Sequence, residues 1–237
     1  MDINCDLGEG IGRDAEIMPF LDSCSIACGG HAGDRETMLA TIRLAKEQEV
    51  KVGAHPSFED RNNFGRTEMY VPPEQLRSQL IHQIAELNVL AKLEDVRLNH
   101  IKLHGALYNM AAKSSDLADL VIGVVNFFRE EIELYVPFGS KLERKARESR
   151  IPYATEAFAD RNYDDQFRLV SRQLPDAVIS DPAVVCERFE RMIDKGEVVS
   201  VTGKVKKVEI DTVCIHGDNP RAVEIASELH DLKKRYS

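Results

Sequence analysis

The stretch HIKLHGALYN, residues 100–109, is the most informative part of the sequence because it combines an apolar run with the ammonium of Lys102, the imidazole of His104 and a glycine. We predict a buried β-strand over His100–Leu107, lying between two helical apolar patterns. A strand between two helices is typical of a parallel sheet, in which each helix crosses over to the next strand. Lys102 and His104 are two residues apart and are expected on one face of this strand. In a closed barrel that face is the interior, so both side chains are expected to point into a shared pocket.

The same alternation of short apolar runs and helical patterns continues along the chain. The other predicted strands are Asp2–Leu7, Ser23–Cys28, Val50–Ala54, Leu134–Phe138, Tyr153–Ala159 and Thr212–His216. The predicted helices cover residues 34–48, 73–92, 115–129, 141–149, 182–195 and 219–235, the first with Asp34 as its N-cap. Residues 160–180 are irregular and predict a long loop over one end of the fold.

About seven strand–helix units predict an α/β fold, a seven-stranded β/α (TIM-like) barrel that forms a single domain over residues 1–237. An open doubly wound sheet is the alternative, because periodicity does not reveal whether a sheet closes. No linker or change of composition divides the chain.

Composition excludes several classes of function. The net charge is −9 and no basic block is present, which argues against binding to nucleic acid or to an anionic membrane. No apolar run is long enough to span a bilayer, and the acidic start MDINCDLGEG is unlike a signal peptide. The five cysteines contain no CxxC pair and are interpreted as reduced thiols of a cytoplasmic protein.

Polar residues collect where the predicted strands end. Because the carboxyl ends of parallel strands lie on one face, residues far apart in sequence can line one pocket there. Four of the seven histidines occupy such positions. The full set is Asp6, Glu9, His31, His55, Arg61, Arg66, Lys102, His104, Tyr108, Asn109, Glu156, Asp160, Arg161, His216 and Asp218.

Three kinds of chemistry fit this set. It can bind a divalent metal, with ligands among Asp6, His31, His55 and His104. It can contain a general base toward water, namely Asp6, Glu156 or Asp160. It can also hold a carboxylate or phosphate through Lys102, Arg61, Arg66 and Arg161. Lys102 is the strongest signal, because an ammonium inside an apolar strand needs a partner.

The remaining histidines are assigned no role: His82 is expected at a helix surface, His100 at the start of a strand and His230 in the charged final helix. Neither GxxxxGK[ST] nor GxGxxG after a strand is present, so the chain carries no sequence signature of a nucleotide-binding loop.

Six motifs together resemble, in order and spacing, the LamB/YcsF family. They are NCDLGEG (4–10), IACGGHAGD (26–34), VGAHPSFEDRNNFGR (52–66), KLHGALYN (102–109), EAFADRNY (156–163) and CIHGD (214–218). The resemblance implies a seven-stranded barrel of the glycoside hydrolase/deacetylase type. The chain departs from the usual pattern at Gly30, where many relatives have Phe, and at Leu103, where they have Pro. It also departs at Phe167 and Ser171, where Gly and Pro are usual.

The resemblance further implies the function of the first of three subunits (A, B and C) of an ATP-dependent 5-oxoprolinase. That enzyme converts 5-oxo-L-proline, ATP and two waters to L-glutamate, ADP and phosphate, in a complex with the B and C subunits. The catalytic residues are then expected to be Asp6, His31, His55, His104, Glu156 and His216. Substrate or phosphate is expected at Glu9, Arg61, Arg66, Lys102, Tyr108, Asn109, Asp160, Arg161 and Asp218. The alternatives are a metal-dependent deacetylase-type hydrolase acting alone and a non-catalytic lactam-binding subunit.

Overall fold

Seven parallel strands close into a barrel in the computed structural model, which describes residues 1–128 and 132–236. The described residues contain nine strands, of which β7 and β8 lie outside the barrel. In chain order they are β1 (Asp2–Leu7), β2 (Ser23–Ala27), β3 (Lys51–His55), β4 (Leu98–Lys102), β5 (Glu133–Pro137), β6 (Tyr153–Phe158), β7 (Glu197–Val199), β8 (Val205–Lys207) and β9 (Thr212–His216). The barrel order is β1-β2-β3-β4-β5-β6-β9, with β9 paired to both β6 and β1. The closed barrel is thus confirmed and the open sheet is wrong.

Helices cover the outside of the barrel, as crossover connections require. They are α1 (Asp14–Ile17), α2 (Arg35–Glu47), α3 (Pro73–Leu93), α4 (Gly105–Lys113), α5 (Ser115–Phe127), α6 (Lys141–Glu148), α7 (Pro182–Lys195) and α8 (Ala222–Lys234). Asp34 caps α2 as predicted, since its carboxylate accepts from the backbone N–H of Thr37. Residue 129, the predicted last residue of the helix that begins at 115, lies outside the described residues. No helix among the described residues is long and apolar enough to cross a membrane.

The stretch HIKLHGALYN, residues 100–109, differs from its prediction. Strand β4 ends at Lys102, and α4 begins at Gly105, which has a φ of +56°. The prediction of a strand as far as Leu107 is therefore wrong. Ala106 and Leu107 instead form the buried face of a helix, and a short apolar run does not distinguish the two. Lys102 does lie inside the barrel, whereas His104 lies beyond the strand, at the N-cap position of α4.

Two further regions refine the predicted organisation. The segment between β6 and α7 contains no named helix or strand in the described structure, which confirms the long loop over 160–180. It is held by isolated bridges, such as that between Tyr163 and Leu169. The antiparallel hairpin β7–β8 was not predicted.

The barrel interior is polar below its mouth, the end at which the carboxyl ends of the strands lie. His100 is the third residue of β4 rather than the start of a strand, so that expectation is wrong. Its Nε2 lies 3.1 Å from the hydroxyl of Ser25, and its ring stacks on Tyr135 with 3.9 Å between centroids. Gly53 makes room for this ring, because a Cβ at that position would lie 2.1 Å from Nε2 of His100.

Candidate functional site at the barrel mouth

Lys102 is at the centre of the polar interior. Its Nζ lies 2.8 Å from Oδ1 of Asp6 and 2.8 Å from Oε1 of Glu156. It also contacts Oδ1 of Asn4 at 3.1 Å and Sγ of Cys214 at 3.0 Å. These partners come from three other strands, β1, β6 and β9. Burial disfavours the charged ammonium, but Asp6, Cys214 and Glu156 overcome this and hold the pKa of Lys102 well above its usual value.

Glu156 has a partner for each of its carboxylate oxygens. Oε1 accepts from Nδ2 of Asn4 at 3.0 Å as well as contacting Lys102, and Oε2 accepts from the hydroxyl of Tyr108 at 2.7 Å. Burial and the neighbouring Glu156 both raise the pKa of Tyr108 well above its usual value, so its hydroxyl keeps its proton. A cavity of about 210 Å³ opens beside this pair and is also lined by Asn109.

Asp6 joins Lys102 to the histidines of the mouth. Its Oδ2 lies 3.3 Å from Nε2 of His55, which in turn lies 2.9 Å from Nδ1 of His104. His55 donates from Nδ1 to the carbonyl of Lys102 at 2.8 Å, and His104 donates from Nε2 to the carbonyl of Phe64 at 2.8 Å. Although burial opposes its ionisation, His55 and Lys102 hold the pKa of Asp6 well below its usual value.

His31 completes this group from the loop after β2. Its ring stacks on His104 with 3.6 Å between centroids, and its Nδ1 lies 3.0 Å from Oγ of Ser57. Its Nε2 lies 3.1 Å from Oε1 of Glu9, a carboxylate oxygen that is also 3.4 Å from Nδ1 of His104. We call Glu9, His31, His55 and His104 the histidine cluster; one ligand atom from each lies within 4.8 Å of every other.

Within the histidine cluster, His31 and His104 resist protonation and Glu9 resists ionisation. Burial and the neighbouring His55 lower the pKa of His31 to about 2. Burial, His31 and His55 likewise hold the pKa of His104 well below its usual value. Burial and the charge of Asp6 raise the pKa of Glu9 to about 7. Desolvation is thus the main cause of each of these shifts, as expected for ionisable groups removed from water.

His216 forms a separate pair with Asp160. Its Nδ1 lies 2.9 Å from Oδ1 of Asp160, whose Oδ2 accepts from the backbone N–H of His216 at 3.0 Å. Nδ2 of Asn219 also donates to Oδ2, at 3.3 Å. Although burial opposes its ionisation, His216 and its hydrogen bonds lower the pKa of Asp160.

The arginines take two different positions. Arg66 and Arg172 each donate to Oδ2 of Asp218 at 2.6 Å, on the surface beside the mouth. Arg61 donates to the backbone carbonyls of Gly29 and Gly33. Arg161 is buried and donates to the carbonyls of Ala177 at 3.1 Å and Val170 at 2.6 Å. Arg61 and Arg161 thus bind backbone in the described structure and lie outside the network around Lys102.

The structure brings together most of the residues expected at the site. One connected network contains Asp6, Glu9, His31, His55, Lys102, His104, Tyr108 and Glu156. Sequence reasoning missed Asn4, Ser57 and Cys214. Each lies two residues from a predicted site residue on or just after a strand, and that spacing was the available signal.

The structure explains the departure at Gly30, and at Phe167 it explains why glycine is usual. Gly30 leaves space for Gln83, because a Cβ at Gly30 would lie 2.6 Å from Oε1 of Gln83. Gln83 uses this space to bond both the N–H and the carbonyl of Ser57, each at 3.0 Å. Phe167 adopts a φ of +59°, a conformation that favours the glycine usual at this position.

Comparisons with known proteins agree with the architecture. The model of the LamB/YcsF family matches residues 1–236. A protein of Pyrococcus horikoshii, named as the A subunit of 5-oxoprolinase, is 42% identical over 98% of this chain and 93% of its own length. Another protein of that name, from Rhodopseudomonas palustris, is 43% identical over 95% of this chain and 91% of its own length.

Two solved structures have the same fold as this chain. The lactam utilization protein of Thermus thermophilus superposes with a TM-score of 0.91 at 36% identity, covering 100% of this chain and 96% of that one. A putative cellobiose-phosphate cleavage protein of Enterococcus faecalis shares only the fold, with a TM-score of 0.62 at 10% identity over 99% of this chain and 93% of that one. The chain belongs to the LamB/YcsF family.

Proposed function

We propose that this chain is the first of the three subunits of an ATP-dependent 5-oxoprolinase, which opens 5-oxo-L-proline to L-glutamate with two partner subunits, B and C. The observation that carries the proposal is the buried charged network at the barrel mouth, in a chain whose full-length relatives bear the name of that enzyme. Binding sites for small molecules in such barrels lie at this end of the strands.

The cavity beside Tyr108 suits a small cyclic amide that carries a carboxylate. Its volume is about 210 Å³, and its lining includes three cationic side chains, Lys113, Arg168 and Lys206. Lys102 has its contacts taken by protein groups, and Arg168 is paired with Asp164. Lys113 and Lys206 are therefore better suited to hold the substrate carboxylate.

ATP is required in this proposal because a five-membered lactam is a resonance-stabilised amide. Transfer of the γ-phosphoryl group to the lactam carbonyl oxygen forms an O–P bond and releases ADP. A water then adds to the ring carbon, the C–N bond breaks with a proton passing to nitrogen, and an acyl phosphate remains. A second water releases phosphate and leaves L-glutamate. Asp6 or Glu156, the two carboxylates in contact with Lys102, is proposed to accept a proton from water, and Glu156 also lines the cavity.

The test is 5-oxoproline-dependent ATP hydrolysis, followed as phosphate and glutamate release, with and without the two partner subunits. We expect turnover only in the complete complex and a loss of at least about 100-fold in kcat for Asp6→Asn, as for other proton-transfer groups. Arg43→Gln, on the exposed face of α2, is the control and should leave turnover unchanged. No turnover in the complete complex overturns the proposal.

The same assay separates the other candidate functions. Hydrolysis of an N-acetyl sugar by the isolated chain without ATP would favour the deacetylase-type hydrolase. Lactam binding by the isolated chain, together with full turnover by a complex that carries both Asp6→Asn and His104→Ala, would favour a non-catalytic binding role.

A further inference from the structure

The histidine cluster has a feature that lactam hydrolysis by itself does not explain: its nitrogen lone pairs face one another. The side chains of Glu9, His31, His55 and His104 are all at least nine-tenths buried, with exposed fractions between 0% and 8%. Water therefore has little access to their polar atoms. The partners of those atoms must therefore be protein groups or a bound ion.

Hydrogen bonds outside the cluster determine which nitrogen of each ring carries the proton. A carbonyl oxygen only accepts, so His55 is protonated on Nδ1, which faces the carbonyl of Lys102. By the same reasoning His104 is protonated on Nε2, which faces the carbonyl of Phe64. In neutral rings the remaining nitrogens, Nε2 of His55 and Nδ1 of His104, are both acceptors, and they lie 2.9 Å apart. Nε2 of His55 also faces Oδ2 of Asp6, another acceptor, at 3.3 Å.

The proton position of His31 is determined in the same way, through the hydroxyl of Ser57. Ser57 donates its proton to the carbonyl of Phe58 at 2.8 Å, so its Oγ is left to accept from Nδ1 of His31. Nε2 of His31 is then an acceptor, and it faces Oε1 of Glu9 at 3.1 Å. Four acceptor atoms therefore converge, and each imidazole is oriented by a hydrogen bond from its outer nitrogen. This is the arrangement that metal-binding histidines show in proteins.

The charge balance points the same way. Within the connected network, the carboxylates of Asp6, Glu9 and Glu156 face a single ammonium, that of Lys102. A divalent cation at the histidine cluster would offset the remaining negative charge. A buried excess of negative charge without such an ion is unfavourable.

The distances suit a small transition-metal ion. Nitrogen ligands about 2.1 Å from a tetrahedral zinc ion lie roughly 3.3 Å from each other. Three ligand–ligand distances in the cluster are 2.9, 3.1 and 3.4 Å. His31 and His104 are stacked in parallel planes, so one ring must tilt to direct its lone pair at a common ion. Three imidazoles and a carboxylate favour Zn²⁺ and similar ions over Ca²⁺ or Mg²⁺.

We infer that Glu9, His31, His55 and His104 form a binding site for one divalent transition-metal ion of the zinc class. Glu9 lies on the loop after β1 between Gly8 and Gly10, whose φ angles are +70° and +79°. The bound ion would supply a Lewis acid next to Asp6. Ser57 is a positioning residue that orients His31.

The experiment is metal binding by the tag-free full chain after treatment with a chelator, with neither ATP nor lactam present. Titration calorimetry with Zn²⁺ is expected to give one ion per chain. Co²⁺ is expected to produce the visible absorption of a cobalt ion with nitrogen ligands. Glu9→Gln and His104→Gln should weaken binding more than 10-fold, and Ser57→Ala roughly 10-fold, as substitutions of outer partners do.

The matched control is His82→Gln, which removes an exposed histidine on α3 and should leave binding unchanged. Circular dichroism of each variant without metal shows whether it has folded. The inference is overturned if the folded wild-type chain binds no ion, or if Glu9→Gln and His104→Gln bind the ion as tightly as the wild type. Because the measurement involves no turnover, its result is independent of the proposed lactam reaction.

Discussion

The polar groups on the two sides of Lys102 are paired in different ways. On one side, around Glu156 and Asp160, donors meet acceptors: Tyr108 donates to Glu156, and His216 donates to Asp160 through its backbone N–H. We call this side the matched side. On the other side, in the histidine cluster, acceptors meet acceptors at distances as short as 2.9 Å. The matched side is complete within the protein, whereas the histidine cluster needs a further ion or proton.

This difference indicates a division of roles. Matched polar groups hold a single arrangement, because each buried atom would lose its partner in any other one. They are suited to fix Lys102 and the shape of the mouth. The histidine cluster is suited to bind an ion or a proton, because its nitrogen lone pairs point into the cluster and no donor among the described residues faces them. Substitutions on each side therefore test whether the two sides depend on each other.

The largest effect is expected for Lys102→Met, which removes the cation that both sides share. Asp6 and Glu156 would be left as buried carboxylates without a counter-charge. We expect the free energy of unfolding to fall by about 3–5 kcal/mol, as when one partner of a buried ion pair is lost. Urea unfolding at neutral pH measures this.

The control for this substitution is Lys46→Met. It removes a half-exposed surface ammonium that lies near Asp95. Its expected effect is below about 1 kcal/mol. Equal losses for Lys46→Met and Lys102→Met would contradict the central role of Lys102.

A smaller, pH-dependent effect is expected for Asp160→Asn on the matched side. The pKa of Asp160 is lower in the folded chain than its ordinary 3.8, so the ionised carboxylate stabilises the folded state above that pH. This contribution is lost as the pH falls through the folded-state value. At neutral pH the variant should lose about 1.5–3 kcal/mol, the range for hydrogen bonds to a charged group.

The measurement is the free energy of unfolding between neutral and acidic pH. The wild type should lose stability on acidification more steeply than Asp160→Asn, so that the two curves approach each other. Parallel curves would show that Asp160 is not held ionised by its partners.

The smallest effect is expected for Tyr108→Phe, which removes one neutral donor from Oε2 of Glu156. The loss should be about 1 kcal/mol, because Glu156 keeps its contacts with Asn4 and Lys102. Tyr70→Phe is the matched control, since Tyr70 is 87% exposed and should show no change in thermal unfolding. A loss as large as that of Lys102→Met would mean that the matched side is held by Tyr108 rather than by the lysine.

The sequence was sufficient to predict the barrel and the gathering of polar side chains at one end of it, because both follow from local periodicity and from the common face of parallel strand ends. It failed where the outcome depends on distant backbone. The proton positions of His55 and His104 are set by the carbonyls of Lys102 and Phe64, which carry no side-chain signal. The start of α4 at Gly105 was missed because its apolar residues suit a strand equally well.

The pairing of β1 with β9 has a consequence for the order of folding. Asp6 lies beside His216 in this pairing, and Cys214 of β9 is one of the contacts of Lys102. During synthesis the ammonium therefore leaves the ribosome long before its last partner. Contacts that span so much of the chain form late, because they must first overcome the entropy of closing a long loop. The site and the closed barrel are thus completed by one event, and a half-made chain has neither.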